Sequence, residues 1–113
     1  MKKGQIYFAA LDPTIGSEIK KTRPVLIVSN DASNRYHSLI TVIPLTSQVE
    51  RVYPFEVLLK CADSGLSKDS KAQCNQIRTI SKQRLISEKA VGHVSKELMV
   101  KIHHAIQLHL DMD

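Results

Sequence analysis

The chain is 113 residues long, 42% hydrophobic and 24% charged, with a formal net charge of +5 and a sequence pI near 9.4. That length is enough for one domain with a real core and too short for two, and the composition excludes a disordered or low-complexity chain. The surplus of Lys and Arg favours a polyanionic partner, because each phosphate they neutralise releases counterions, but charge alone does not establish one.

The N-terminal Met1-Lys2-Lys3-Gly4-Gln5 enters an apolar run too short for a signal-peptide core or a membrane span, so a cytoplasmic protein that does not engage a membrane is expected. Short apolar segments with β-branched content then dominate and predict strands over 4–11, 24–29, 39–45, 55–59 and about 76–81. Five or six such strands suggest a small barrel. The segments PVLIVS and LITVIPL are nearly continuous hydrophobic runs, as expected of central strands covered on both faces.

Between the first two strands, residues 12–23 form a long loop punctuated by Pro13 and Gly16, without clear periodicity. Asn30 to Arg35 and Cys61 to Leu66 read as turns. From Ser95, a plausible N-cap with Glu97 in the first turn, the chain reads as a helix. At about 100° per residue, Leu98, Met99, Ile102, Ala105, Ile106, Leu110 and Met112 share one stripe, and Lys96, His103, His104, Gln107 and Asp111 lie opposite. No repeat or linker divides residues 1–113, which read as a single domain.

Cys61 and Cys74 fit neither a zinc spacing nor a redox CxxC. A disulfide is open to an oxidised protein, but free thiols in or near the core are expected. The histidines do not suggest a metal site: His103 and His109 lie about 120° apart on the helix, and His103 and His104 are adjacent rather than spaced for one ion. His109 falls on the apolar stripe and is expected to be packed or at an interface.

The run GQIYFAALDPTIGSE at 4–18, followed by KTRPVLIVSND at 21–31, resembles the N-terminal signature of MazF/PemK toxins. VIPLTS at 42–47, YPFEV at 53–57 and QIRTISKQRL at 76–85 resemble the same family in the same order, so the resemblance spans nearly the whole chain. It implies a mainly β fold, an SH3-like small barrel of the MazF/PemK/CcdB-like plasmid toxin type with a C-terminal helix. It also implies a homodimer, a type II toxin inhibiting translation and growth, a MazE-type antitoxin partner, and metal-independent, sequence-selective cleavage of single-stranded RNA with no cofactor. By matching motif positions, the family's catalytic Arg and Thr fall on Arg23 and Thr46, and its loop carboxylate on Glu18. Ile19-Lys20-Lys21-Thr22 fills the loop more basically than the glycine-rich form of some relatives.

These residue types suit the implied chemistry. RNA carries its own nucleophile, the ribose 2′-hydroxyl, and a guanidinium with fixed forked donors meets the charge that builds on the phosphoryl oxygens. Arg23 is expected in that role at the entrance to a strand, where the following Pro24 biases its backbone toward the extended form. Thr46 is expected to position the phosphate, since a hydroxyl is a poor general base. Glu18 could accept a proton if burial raised its pKa, or could orient Arg23, the reading slightly favoured.

Gly16, Ser17 and Lys20 in the loop, and Gln76 and Arg78 alternating onto one strand face, are candidate RNA contacts. On composition alone, each of these residues also has an ordinary reading: a solvated cation, a turn former, a weak surface ion pair or exposed strand polarity. Two other functions compete with the nuclease. One is a non-enzymatic toxin of the same barrel that poisons a protein target such as gyrase. The other is a simple nucleic-acid-binding barrel, which would want exposed aromatics for stacking. Tyr7, Phe8, Tyr36, Tyr53 and Phe55 are the only aromatics, and most fall in or beside strands.

Overall fold

The two long apolar runs become the central strands of an antiparallel sheet. In a computed structural model, which describes residues 1–11, 16 and 22–112, the strands are β1 (Gln5–Ala10), β2 (Thr22–Ile27), β3 (Leu39–Thr46), β4 (Glu56–Leu59), β5 (Ser70–Gln73), β6 (Arg78–Ser81) and β7 (Gly92–His93). Their order is β4-β5-β3-β2-β1-β7, with β6 also paired to β3. The long strand β3 meets β6 through Leu39 to Val42 and β5 through Leu45 and Thr46, and this handover turns the sheet.

The curl is completed by a short connection. Four residues after β6 ends at Ser81, Leu85 bridges Ala9 of β1, and the Ile86 N–H donates to the Phe8 carbonyl at 2.8 Å. The result is a half-barrel whose inner face carries Tyr7, Ala9, Leu11, Val25, Ile27, Ile40, Val42 and Ile80 as one buried cluster. Alternate residues of the same strands, including Ile6, Leu26, Ile43 and Leu45, point to the other face and form a second cluster with the C-terminal helix. Burial on both faces explains the continuous hydrophobicity of β2 and β3.

That helix, α3 (Lys96–His109), starts as expected, with the Leu98 N–H donating to Ser95 Oγ at 3.3 Å. Met99, Ile102 and Ala105 are buried against the sheet, whereas Leu110 and Met112, past the helix end, are exposed. His109 is exposed instead of packed within the chain, and His103, expected on the polar side, is half-buried. Burial, with the charges of Lys3 and His104, holds the His103 pKa below its usual value.

Two segments expected as turns are short helices, α1 (Asp31–Tyr36) and α2 (Cys61–Ser64). Asn30 caps α1 by accepting from the Ser33 N–H at 2.8 Å, and Gly65, at φ +81°, ends α2 in the left-handed conformation. Turn-forming residues therefore serve here as helix caps, Asn30 through its side chain and Gly65 through its backbone. Both cysteines are free; Cys74 is buried in the second cluster, but Cys61 is exposed at the start of α2, outside the expected core. Burial, with the charge of Glu56, pushes the Cys74 thiol up to about 12, which leaves it unreactive.

Gly92 packs β7 against α2 so closely that a Cβ there would lie 1.9 Å from the Ser64 carbonyl oxygen. Gly92→Ala must displace backbone, and we expect it to cost about 1–3 kcal/mol of stability, measured by urea unfolding; an unchanged midpoint would contradict this contact.

Candidate active site

The β2–β3 register pairs Val25 with Pro44, Leu26 with Ile43 and Ile27 with Val42. Carried two residues further, it sets Arg23 opposite Thr46, the last residue of β3. Cross-strand partners share a face, so both belong with Val25 and Val42 on the inner side of the half-barrel, at its end. Arg23 lies within β2, paired to Ala9 of β1, instead of ending a loop. Its Nε is buried with no hydrogen-bond partner among the described residues. An orphaned buried guanidinium donor is costly unless something else accepts from it. Thr46 is buried, and its Oγ1 accepts from the Gln48 N–H at 3.3 Å, an arrangement that fixes the hydroxyl while leaving its own proton to donate.

The other expected site residues divide. Arg78 opens β6 opposite Val42, half-buried and further along the same inner face. Gln76 does not share a strand with it: residues Cys74–Gln76 form a 3-10 turn, and the strand starts only at Arg78. The expected alternation of the two side chains is therefore corrected. The physical reason is that β3 changes partner from β6 to β5 here, and the connection between those two strands needs the turn. Gly16 is an exposed turn residue at φ +62°, and among the described residues nothing lies within 4 Å of its Cβ position. Glu18, Ser17 and Lys20 lie outside the described residues.

Beside Thr46 stands a cluster that the sequence did not disclose. Thr46 pairs with Lys71 of β5, and the buried Lys71 Nζ contacts Glu56 Oε1 at 3.0 Å and donates to the Arg51 carbonyl at 2.6 Å. Glu56 also accepts from the Tyr53 N–H at 2.9 Å and from Gln73 Nε2 at 3.1 Å. Burial pushes the Glu56 pKa up, but the hydrogen bonds from Tyr53, Lys71 and Gln73 and the Lys71 charge outweigh it, and the net shift is downward. The signal that could have found β5 is the alternation of Lys71 and Gln73 with the buried Ala72 and Cys74. A cavity of about 560 Å³ between β4 and α3, and one of about 670 Å³ beside α1, both lie away from Arg23 and Thr46.

Because the folded pKa of Glu56 is depressed, the stability it contributes is present above the ordinary carboxylate range near 4.5 and is lost as pH falls through the lower folded value. Lys71→Met would leave the carboxylate buried without its cation, at a cost on the order of 3 kcal/mol near neutral pH. Urea unfolding should show the gap from the native chain narrowing toward about pH 4; a gap that does not change with pH would contradict the pairing.

Residues 2–110 match the family described as PemK-like, MazF-like toxin of type II toxin-antitoxin system. The chain is 42% identical to endoribonuclease MazF9 of Mycobacterium tuberculosis (strain ATCC 25618 / H37Rv) over 117 residues, covering 99% of this chain and 98% of that protein. It is 38% identical to endoribonuclease EndoA of Bacillus subtilis (strain 168) over 111 residues, covering 97% and 94% respectively. Among solved structures, it resembles an endoribonuclease in complex with its cognate antitoxin from a mycobacterial species, with a TM-score of 0.79 at 27% identity, covering 100% of this chain and 97% of the other. The curled antiparallel sheet, the C-terminal helix and these near full-length matches together make the chain a member of the PemK-like, MazF-like toxins of type II toxin-antitoxin systems.

Proposed function

We propose that this chain is a toxin endoribonuclease that cleaves single-stranded RNA through the ribose 2′-hydroxyl, with Arg23 and Thr46 at the reacting phosphate and no metal ion. The observation that carries the reading is a half-buried Arg23, whose Nε is buried with no partner among the described residues, on the same face as the hydroxyl of Thr46 when the β2–β3 register is continued to the end of β3. The relatives' names as endoribonucleases favour it over a toxin that poisons a protein target.

In this reaction the 2′-hydroxyl gives up its proton as its oxygen attacks the adjacent phosphorus, the bond to the 5′-oxygen breaks and that oxygen takes up a proton, so the products carry a 2′,3′-cyclic phosphate and a 5′-hydroxyl with no net proton gained or lost. Arg23 donates to the non-bridging oxygens, where charge accumulates as the phosphorane forms. Thr46 holds one of those oxygens by donating its hydroxyl proton. Glu18 is assigned to orienting Arg23; acceptance of the 2′-hydroxyl proton is the alternative, and Glu18→Gln separates the two. Loss of the acidic limb of the rate–pH profile would make it the base, and a lowered rate with that limb intact would make it the orienting group. Gly16, Ser17, Lys20, Gln76 and Arg78 are proposed to hold the flanking RNA strand, where cations and an open backbone meet phosphates.

The protein is proposed to act in the cytoplasm as a homodimer, with loops of both subunits lining the RNA groove, and to slow translation and growth. Among the described residues no helix is long and apolar enough to cross a membrane. A MazE-type antitoxin is proposed to inhibit it by laying an acidic segment over this basic groove, in keeping with the net charge of +5 and with the solved toxin–antitoxin relative.

Incubating the purified protein with a defined single-stranded RNA in excess chelator should give fragments with 5′-hydroxyl ends; 5′-phosphate ends or intact RNA would refute the mechanism. Arg23→Ala should lower kcat by about 10²–10³ with an unchanged melting temperature. Cleavage at the native rate by that variant would remove Arg23 from the reaction. Thr46→Val, close in shape but without the hydroxyl, should also be impaired, and a native rate would refute its contact with the phosphate.

A further inference from the structure

Of the five aromatic side chains only Tyr7 belongs to an apolar cluster, and of the other four, two are paired with each other. Tyr53 and Phe55 stack with ring centroids 5.5 Å apart and planes inclined by 9°, and neither ring belongs to the clusters on the two faces of the sheet. Tyr53 is 43% exposed, a poor use of a large ring if packing were its purpose. Two cations attend it: the Arg51 guanidinium carbon lies 5.8 Å from the ring centroid, and so does Lys71 Nζ.

The stack is also held in place. The Tyr53 N–H is fixed by Glu56, the Arg51 carbonyl by Lys71, and the Tyr53 hydroxyl accepts from Arg51 Nη1 at 3.2 Å. A buried ion pair thus anchors the backbone of an exposed segment at two points and reduces the ordering that a ligand would otherwise have to impose. Its location is specific, since Lys71 is the cross-strand partner of Thr46, on strands about 4.8 Å apart. Tyr36, the more exposed ring, sits in α1, which follows the far end of β2 from Arg23 and does not adjoin this site.

A rigid, half-exposed aromatic surface flanked by cations, one strand from a phosphate-binding hydroxyl, has the chemistry that accepts an unstacked base while its phosphate is neutralised. We infer that the Tyr53–Phe55 stack with Arg51 is a nucleobase platform, holding one base of the RNA strand next to the bond cleaved at Arg23 and Thr46. This rests on the proposed RNA cleavage and adds to it a residue that sets where the strand is held.

The test is a set of oligoribonucleotide substrates, each with one abasic nucleotide, moved through the positions flanking the cleaved bond. With the native protein, kcat/KM should fall roughly tenfold or more at one position, as loss of a base–aromatic stack does. Tyr53→Ala should lose a similar factor on intact RNA and show no further loss at that position, while Tyr53→Phe keeps the ring and most of the activity. The proposal is overturned if Tyr53→Ala cleaves intact RNA at the native rate, or if it keeps the whole abasic penalty at every position. Should the native protein cleave no RNA, the cleavage reading fails, and the platform is read separately by titrating the same series as 2′-O-methyl oligonucleotides. A position-specific loss of affinity that Tyr53→Ala abolishes would support it, and uniform affinity along the series would overturn it.

Discussion

The site depends on the antiparallel register of β2 against β3. Side chains alternate across a strand, so a slip of one residue would carry Arg23 to the helix-covered face and turn Leu26 away from its cluster. Apolar burial on both faces forbids that slip: Val25, Ile27 and Val42 belong to the inner cluster, while Leu26, Ile43 and Leu45 belong to the cluster under α3. The hydrophobic free energy that folds the sheet thereby also keeps Arg23 and Thr46 on one face of it. Their positions at strand ends combine a rigid support with an open approach, which a polymer substrate requires.

Next to this apolar frame the chain maintains a buried ion pair, Lys71 with Glu56. Such a pair is weak support for stability in itself, because desolvating two charges offsets much of their attraction. Its effect is geometric. Besides the bond from Gln73 to Glu56, the pair bonds the backbone of Arg51 and Tyr53, so the segment after β3 is fastened to β4 and β5. Thr46 pairs with Lys71 on one side, and continuing the β2–β3 register puts Arg23 on its other side, so two cations flank the hydroxyl on one face of the sheet.

Much of the fold was legible because its strands are apolar. The runs beginning at Gly4, Pro24, Leu39 and Phe55 all became strands with ends shifted by one or two residues, and Ser95 capped the helix as its position suggested. What escaped did so for identifiable reasons. In Ser70–Gln73 the alternate side chains are polar and make buried contacts, so the segment has no hydrophobic run; Gly92–His93 is too short to leave a pattern. The caps of α1 and α2 use the same residue types as turns. Gln76 was misplaced because nothing local marks where β3 changes partner.

The candidate site was legible in a different way. Without the family resemblance, Arg23 reads as a surface cation and Thr46 as a turn former, and only the register brings them face to face. The aromatic stack was least accessible, since Tyr53 and Phe55 are separated by a proline and their cations come from two different parts of the chain. The most direct test of the account is a double-mutant cycle on kcat, comparing Arg23→Ala, Thr46→Ala and the two combined on one RNA. If both side chains act on a single phosphate, the combined variant should be little slower than the slower single variant; losses that multiply in full would contradict it.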